Sequence, residues 1–169
     1  MRIWLRVGTA LTLVPCRNFS DLLKQKVYSA CFDLLQGKIS SLQKTLRELE
    51  EGAESDSKSS AGDKHETARA MMQIEQEKIS RQLKEALFQL TDLEKIDAAS
   101  LHTVVSKGSL IQTNNGILFL CVALGKIVVD GKPVVALSPQ SPLGMKLLGL
   151  KITGAAEING VKYIVEGLS

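Results

Sequence analysis

The sequence predicts an α+β protein in which an N-terminal antiparallel α-helical coiled-coil hairpin precedes a small, mostly antiparallel β domain with one short helix. Two observations predict this fold class. Apolar residues recur at helical spacing on both sides of a Ser/Gly-rich break, and later short apolar runs are separated by turn pairs. We therefore expect an unassigned extension over residues 1–20, a hairpin over 21–98 with its tip near 52–66, and a C-terminal domain over 99–169.

The two predicted helical arms each carry an apolar stripe with steps of three and four residues, which places the stripe on one helix face. The first stripe consists of Tyr28, Cys31, Leu35, Ile39, Leu42, Leu46 and Leu49. The second consists of Met72, Ile79, Leu83, Ala86, Leu90 and Leu93. Because the break between them is short, we expect the two arms to pack against each other as antiparallel helices. Two helices of a compact bundle, or a dimeric coil, are the alternatives.

The break between the arms runs from Gly52 to Gly62 and is followed by Asp63 and Glu66. Asp63-x-x-Glu66 has the spacing of a capping box, in which both carboxylates satisfy free N–H groups at the start of the second helix. The same spacing places two carboxylates on one face of a first helical turn, where they could share a metal or orient a water. Both interpretations are open from the residues alone. His65 is interpreted as an exposed tip residue, because no second histidine lies nearby in the sequence.

The C-terminal part of the chain contains three turn pairs flanked by Val/Ile/Leu-rich runs, a strong signal for β-hairpins. They are Asn115-Gly116, Asp130-Gly131 and Asn159-Gly160. Between the predicted strands, Ser141 suits an N-cap, Pro142 the first helical position and Gly149 the C-terminal cap. A domain of this size buries a modest core, so we expect it to contact the base of the hairpin.

The composition argues against several classes of function. The three cysteines lack metal-ligand spacing and fit a reducing cytosol, and the sequence has no C-x-x-C, H-E-x-x-H or G-x-S-x-G motif of a self-sufficient enzyme. The net charge is only +3, and no basic stripe is interleaved with aromatic residues, so direct nucleic-acid binding is not indicated.

Residues 1–20 combine a charged start with a short apolar run that ends near Cys16, which faintly suggests an export signal or a lipid-attached cysteine. Arg6 and Pro15 weaken that interpretation, and the run is too short to span a membrane. We favour a start codon assigned too far upstream, with a disordered appendage as the result.

Two motifs in this order carry a resemblance to a known family. Gly62-Asp63-Lys64-His65-Glu66 lies at the tip, and Ser141-Pro142-Leu143-Gly144-Met145-Lys146-Leu147-Leu148-Gly149 lies in the C-terminal domain. Over about residues 22–169, the chain resembles the bacterial transcript-cleavage elongation factors of the GreA/GreB family. The order and spacing of the two motifs make the resemblance more specific than either motif alone.

The resemblance implies an FKBP-like C-terminal domain that docks at the rim of the secondary channel of bacterial RNA polymerase. The hairpin would enter that channel, where Asp63 and Glu66 would help hold the second Mg²⁺ of RNA polymerase and position the attacking water. The polymerase would then cleave backtracked RNA, so the protein is expected to be a cytoplasmic monomer without enzymatic activity or a cofactor of its own. It would meet nucleic acid only through the polymerase. The implied partner-binding residues are Ser141, Pro142, Leu143, Gly144 and Lys146.

The tip departs from the family pattern after Glu66. The family usually continues with Asn and Ala-Glu-Tyr, whereas this chain has Thr67-Ala68-Arg69-Ala70, which adds a cation and removes an aromatic residue. A related regulator that occupies the channel and inhibits without cleavage is therefore the alternative. A prolyl isomerase or peptide-binding module is disfavoured, because the C-terminal domain has only Phe119 and Tyr163 as aromatic walls.

Overall fold

The computed structural model describes residues 5–7, 10–12, 19–56 and 64–169, with side chains for residues 22–52, 67 and 69–169. The fold is α+β: a long helical region precedes a six-stranded mixed sheet. The helices are α1 (Phe19–Asp56) and α2 (Lys64–Glu94), with 38 and 31 residues. Before them, β1 (Leu5–Val7) and β2 (Ala10–Thr12) form a short antiparallel ladder that the sequence did not predict.

The chain divides into two compact units. One unit contains the start of α1 as far as Ala30 together with Asp97–Ser169. The other contains Cys31–Ile96 and therefore most of both long helices.

In the unit formed by Cys31–Ile96, the predicted apolar stripes are the least exposed faces of the helices. Cys31, Leu35 and Ile39 of α1 are buried, and so are Ile79, Ala86 and Leu93 of α2. The remaining stripe positions in this unit are half-buried: Leu42, Leu46, Leu49, Met72, Leu83 and Leu90. The stripes predicted from helical spacing are thus confirmed as buried faces. A side chain at Gly52 would come within 3.8 Å of the Met72 side chain, so the last turns of α1 lie beside the early turns of α2.

The sheet contains six strands in the spatial order β5-β6-β4-β3-β8-β7. The strands are β3 (Leu110–Thr113), β4 (Gly116–Leu120), β5 (Gly125–Val129), β6 (Lys132–Leu137), β7 (Ala155–Ile158) and β8 (Val161–Leu168). The sequence predicted a mostly antiparallel sheet, and four of the five pairings are antiparallel. The exception is the pairing of β4 with β6, which is parallel. The chain passes from β4 to the edge strand β5 and returns through a hairpin, which inserts β6 between them. Turn pairs predict hairpins between consecutive strands, and β4 and β6 are not consecutive.

All three predicted hairpins are present. Asp130-Gly131 and Asn159-Gly160 are two-residue loops with positive φ at both positions, as a type I′ turn requires. At the third hairpin Thr113 pairs with Gly116, so Asn114 and Asn115 form the loop and Gly116 begins β4 with φ 120°.

The two faces of the sheet bury different groups. One face forms a core with the helix α3 (Pro142–Leu147), and its buried members are Val105, Ile111, Leu118, Leu120, Leu137, Leu147, Ala156 and Val165. Phe119, Val134 and Ala136 alternate with these residues and are buried on the opposite face. The start of α1 contributes the buried Leu23 and Val27 to the same compact unit.

Candidate functional site

The predicted tip carboxylates fall at the start of α2. Asp63 immediately precedes the helix and lies outside the described residues. Glu66 is in the first turn of α2 by its backbone, and its side chain lies outside the described residues. The capping role and the metal-positioning role of this pair both stay predictions. After it, Thr67, Arg69 and Ala70 are exposed.

The second predicted motif forms a well-defined helix start. The Ser141 hydroxyl accepts a hydrogen bond from the Gly144 N–H at 3.0 Å and donates to the Ser138 carbonyl oxygen at 2.7 Å. Pro142 occupies the first helical turn, where a missing N–H leaves no hydrogen bond unmade. The predicted N-cap at Ser141 and the helical start at Pro142 are confirmed. The predicted cap at Gly149 is corrected: Leu148 is the C-cap residue, and Gly149, with φ 80°, donates its N–H to the Val105 carbonyl oxygen at 2.9 Å. Leu148 and Gly149 instead form a turn closed by the Leu150 N–H and the Leu147 carbonyl oxygen at 3.1 Å.

Gly144 is a structural requirement of this motif. An added Cβ at position 144 would lie 2.2 Å from the Ser138 carbonyl oxygen and 2.9 Å from the Ser141 hydroxyl oxygen. These atoms belong to the capping turn itself, so no side chain fits without opening that turn. Packing within the protein therefore explains why glycine occupies position 144, whether or not a partner binds there.

The remaining predicted partner residues divide between core and surface. Leu143 is half-buried and packs against the core that contains Leu147, whereas Lys146 is exposed. The Lys146 ammonium donates to the backbone carbonyl oxygen of Glu157 at 2.6 Å, which ties α3 to β7. Lys146 was expected only as a partner contact, and this hydrogen bond was not predicted from the sequence.

Two outward-facing apolar residues beside Lys146 were also missed. Met145 is 60% exposed and Leu148 is 41% exposed. The helix α3 is only six residues long and turns one side to solvent. The exposed part of the motif is therefore a lysine flanked by two apolar side chains.

A polar cluster around His102 was not foreseen in the sequence. The Ser100 hydroxyl donates to the Asp97 carbonyl oxygen at 2.8 Å, so it accepts from His102 Nε2–H at 3.0 Å. In the neutral ring, His102 Nδ1 then accepts from the Ser106 hydroxyl at 2.7 Å. This chain of donors and acceptors assigns the His102 tautomer that carries its proton on Nε2.

The buried Lys24 completes this cluster from α1. Its ammonium donates to the Ser100 carbonyl oxygen at 2.6 Å. Burial and the Lys24 charge lower the pKa of His102 from its ordinary value of 6.5, whereas Asp97 opposes that shift. A neutral His102 fits the tautomer above. The arrangement holds the start of α1 to the segment after α2 within one compact unit.

Comparisons with known protein families, curated proteins and solved structures found no match. Among the described residues, no group of three or more His, Cys, Asp or Glu side chains is placed to hold a metal ion. In the same part of the chain, no helix has both the length and the apolar character needed to cross a membrane.

Proposed function

We propose that this protein binds in the secondary channel of bacterial RNA polymerase and stimulates cleavage of backtracked RNA by the polymerase active centre. One observation carries the proposal: two helices of 38 and 31 residues are separated only by residues 57–63, with Asp63 immediately before the second helix and Glu66 in its first turn. A short connection between long helices favours antiparallel neighbours. A hairpin of this kind would carry both carboxylates roughly 45 Å from its base.

The coiled-coil pairing of α1 and α2 is part of the proposal. It is supported by the burial of both apolar stripes, of which Cys31, Leu35, Ala86 and Leu93 are completely inaccessible. The proximity of Gly52 to Met72 also supports it, because antiparallel neighbours bring the end of one helix beside the start of the next.

The FKBP-like character of the C-terminal domain is likewise part of the proposal. A small, mostly antiparallel sheet with one short helix on one face is compatible with it. The structural support for docking is the exposed surface formed by Met145, Lys146 and Leu148. An exposed cation between apolar side chains suits a partner surface that offers a carboxylate and an apolar contact.

The proposed chemistry belongs to the polymerase. Paired cations stabilise the attacking and leaving oxygens in two-metal phosphodiester hydrolysis. Asp63 and Glu66 would supply carboxylate oxygens to the second Mg²⁺ and orient the attacking water, since hard cations prefer such ligands. The protein then needs no metal of its own, and it acts in the cytoplasm, where the polymerase is.

The deciding experiment adds the purified protein to stalled, backtracked elongation complexes and follows the labelled RNA. We expect shortened RNA that can be extended again, and no shortening with a variant that carries both Asp63→Asn and Glu66→Gln. Absence of both polymerase binding and RNA shortening would overturn the proposal.

Binding without RNA shortening would favour the second candidate function, a channel-occupying inhibitor. The exposed Arg69 favours this candidate, because it places a cation one turn after Glu66. Such a cation competes with a metal ion for the same carboxylates.

A further inference from the structure

A cavity of about 370 Å³ lies in the compact unit that contains the start of α1 and the sheet. The apolar lining consists of Leu23 of α1 and of Leu110, Ile117, Ile152 and Leu168. Gln112, Lys132 and Ser169 also line the cavity and give it a polar side. Ligand pockets in proteins typically have volumes of about 300–1,000 Å³, with apolar walls and a few polar groups. The cavity has these properties.

A β-bulge creates the floor of this cavity. Thr113 pairs with Val165 and Gln112 pairs with Gly167, so the register shifts and Glu166 is the extra residue. The shift allows Val165 to enter the core on the α3 side while Gly167 lies opposite Gln112 on the other face. Without the bulge, residues 165 and 167 would point to the same face.

Gly167 matters because it has no side chain to fill the cavity. Its φ is not positive, so the backbone at this position does not itself require glycine. A Cβ at this position would approach only the Gln112 side chain, at 3.4 Å and 3.6 Å, which is ordinary van der Waals contact. A larger residue is therefore compatible with the backbone, and its side chain would occupy the cavity that the glycine leaves open.

We propose that this cavity binds a single-chain amphiphile with an apolar body and a carboxylate head, of the size of octanoate. A cavity of about 150 Å³ is enough for benzene, so the volume here accommodates roughly a dozen heavy atoms. The leucine and isoleucine walls would hold the alkyl chain. Lys132 already takes part in an interaction within the protein, but its ammonium has three donors. It would therefore bind the carboxylate by an additional charge-assisted hydrogen bond, with the Gln112 amide as a second donor.

The proposal is independent of the polymerase function, but it has a consequence for the fold. Leu23 belongs to α1, and the other walls belong to the sheet and to the loop before β7. A ligand that fills the cavity contacts both and stabilises the folded state by mass action. Ligand binding would therefore raise the melting temperature and reduce opening of the first turns of α1.

The test titrates octanoate, below its micelle concentration, into the full chain with labelled methyl groups. We expect saturable shifts of the Leu23, Leu110 and Ile117 methyl resonances and a rise in melting temperature. In G167V the valine occupies the floor, and we expect at least tenfold weaker binding while the rest of the methyl spectrum is retained. Absence of saturable shifts in the unaltered protein, or unchanged affinity in a folded G167V, would overturn the proposal.

A second variant tests the head group without changing the floor. K132M should weaken octanoate binding at least fivefold and leave octanol binding unchanged, because only octanoate carries the charge. The control is K126M, which removes an exposed lysine from the edge strand β5 and lies outside the cavity lining. Equal loss of octanoate affinity in K126M and K132M, or none in K132M, would contradict the proposed carboxylate contact.

Discussion

The ammonium of Lys24 lies 2.6 Å from the backbone carbonyl oxygen of Ser100, although 76 positions separate them in the chain, and the lysine is only 1% exposed. A buried charge is tolerated only when hydrogen bonds compensate its lost hydration. This contact therefore holds the first turns of α1 against the segment that follows α2.

Lys24→Met is expected to lower the free energy of unfolding by about 1–3 kcal/mol, because the partly buried Ser100 carbonyl oxygen loses its donor. The matched control is Lys26→Met, which removes an ion pair to Asp130 in which both side chains are about half-exposed. Exposed ion pairs contribute about 0–1 kcal/mol. Urea unfolding, with an unchanged m-value, measures the loss of stability in both variants. Equal losses would contradict a larger contribution of the Lys24 hydrogen bond.

His102 should make stability depend on pH in a defined direction. Its pKa is lowered below 6.5 in the folded protein, so the unfolded chain binds more protons as the pH falls below that value. Stability is therefore full above about pH 6.5 and declines toward acid. Thermal unfolding between pH 5 and 8 should show a shallower decline for His102→Gln than for the unaltered protein. Parallel curves would exclude His102 as a source of the dependence.

Gly144→Ala should destabilise the protein by about 1–3 kcal/mol, since the new methyl group would overlap the Ser138 carbonyl and force the capping turn open. Gly37→Ala is the matched control. Gly37 lies inside α1 with nothing within 4 Å of an added Cβ, and removal of a helix glycine stabilises by about 0.5–1 kcal/mol. Denaturant midpoints should move in opposite directions for the two variants.

Lys146→Glu should weaken binding to RNA polymerase if the exposed surface around α3 docks there. The variant also loses the hydrogen bond to Glu157, which we expect to cost about 0.5–1.5 kcal/mol. Lys146→Met separates the two effects, because it loses the same bond without reversing the charge. Lys151→Glu, an exposed lysine just beyond α3, is the charge control. Polymerase affinity that is equal for Lys146→Glu and Lys151→Glu would remove Lys146 from the interface.

The parts of the fold that were predictable depend on local chemistry. The hairpins at Asp130-Gly131 and Asn159-Gly160 and the cap at Ser141 each require only a few neighbouring residues, and the helix stripes follow from periodicity. The parallel pairing of β4 with β6 was not predictable from turn pairs. Lys24 and His102 were missed because their partners become neighbours only through tertiary packing. The position of Asp63 and Glu66 at the start of α2 was predicted from the sequence. Their proposed function was not predictable from local chemistry, because it depends on a partner protein.

Asp63→Asn separates the two roles that the start of α2 allows. Asn caps a helix about as well as Asp, so loss of the charge should leave stability within a few tenths of a kcal/mol, whereas loss of a cap costs about 0.5–2 kcal/mol. If Asp63 helps hold the Mg²⁺ of the polymerase, this variant should bind the polymerase normally and fail to shorten backtracked RNA, because an amide is a weaker ligand for a hard cation. Asp63→Ala is the complementary variant, since it removes the cap and the carboxylate together. The metal-positioning role would be wrong if Asp63→Asn shortens RNA as well as the unaltered protein does. If Asp63→Ala also loses stability, Asp63 acts as a helix cap alone.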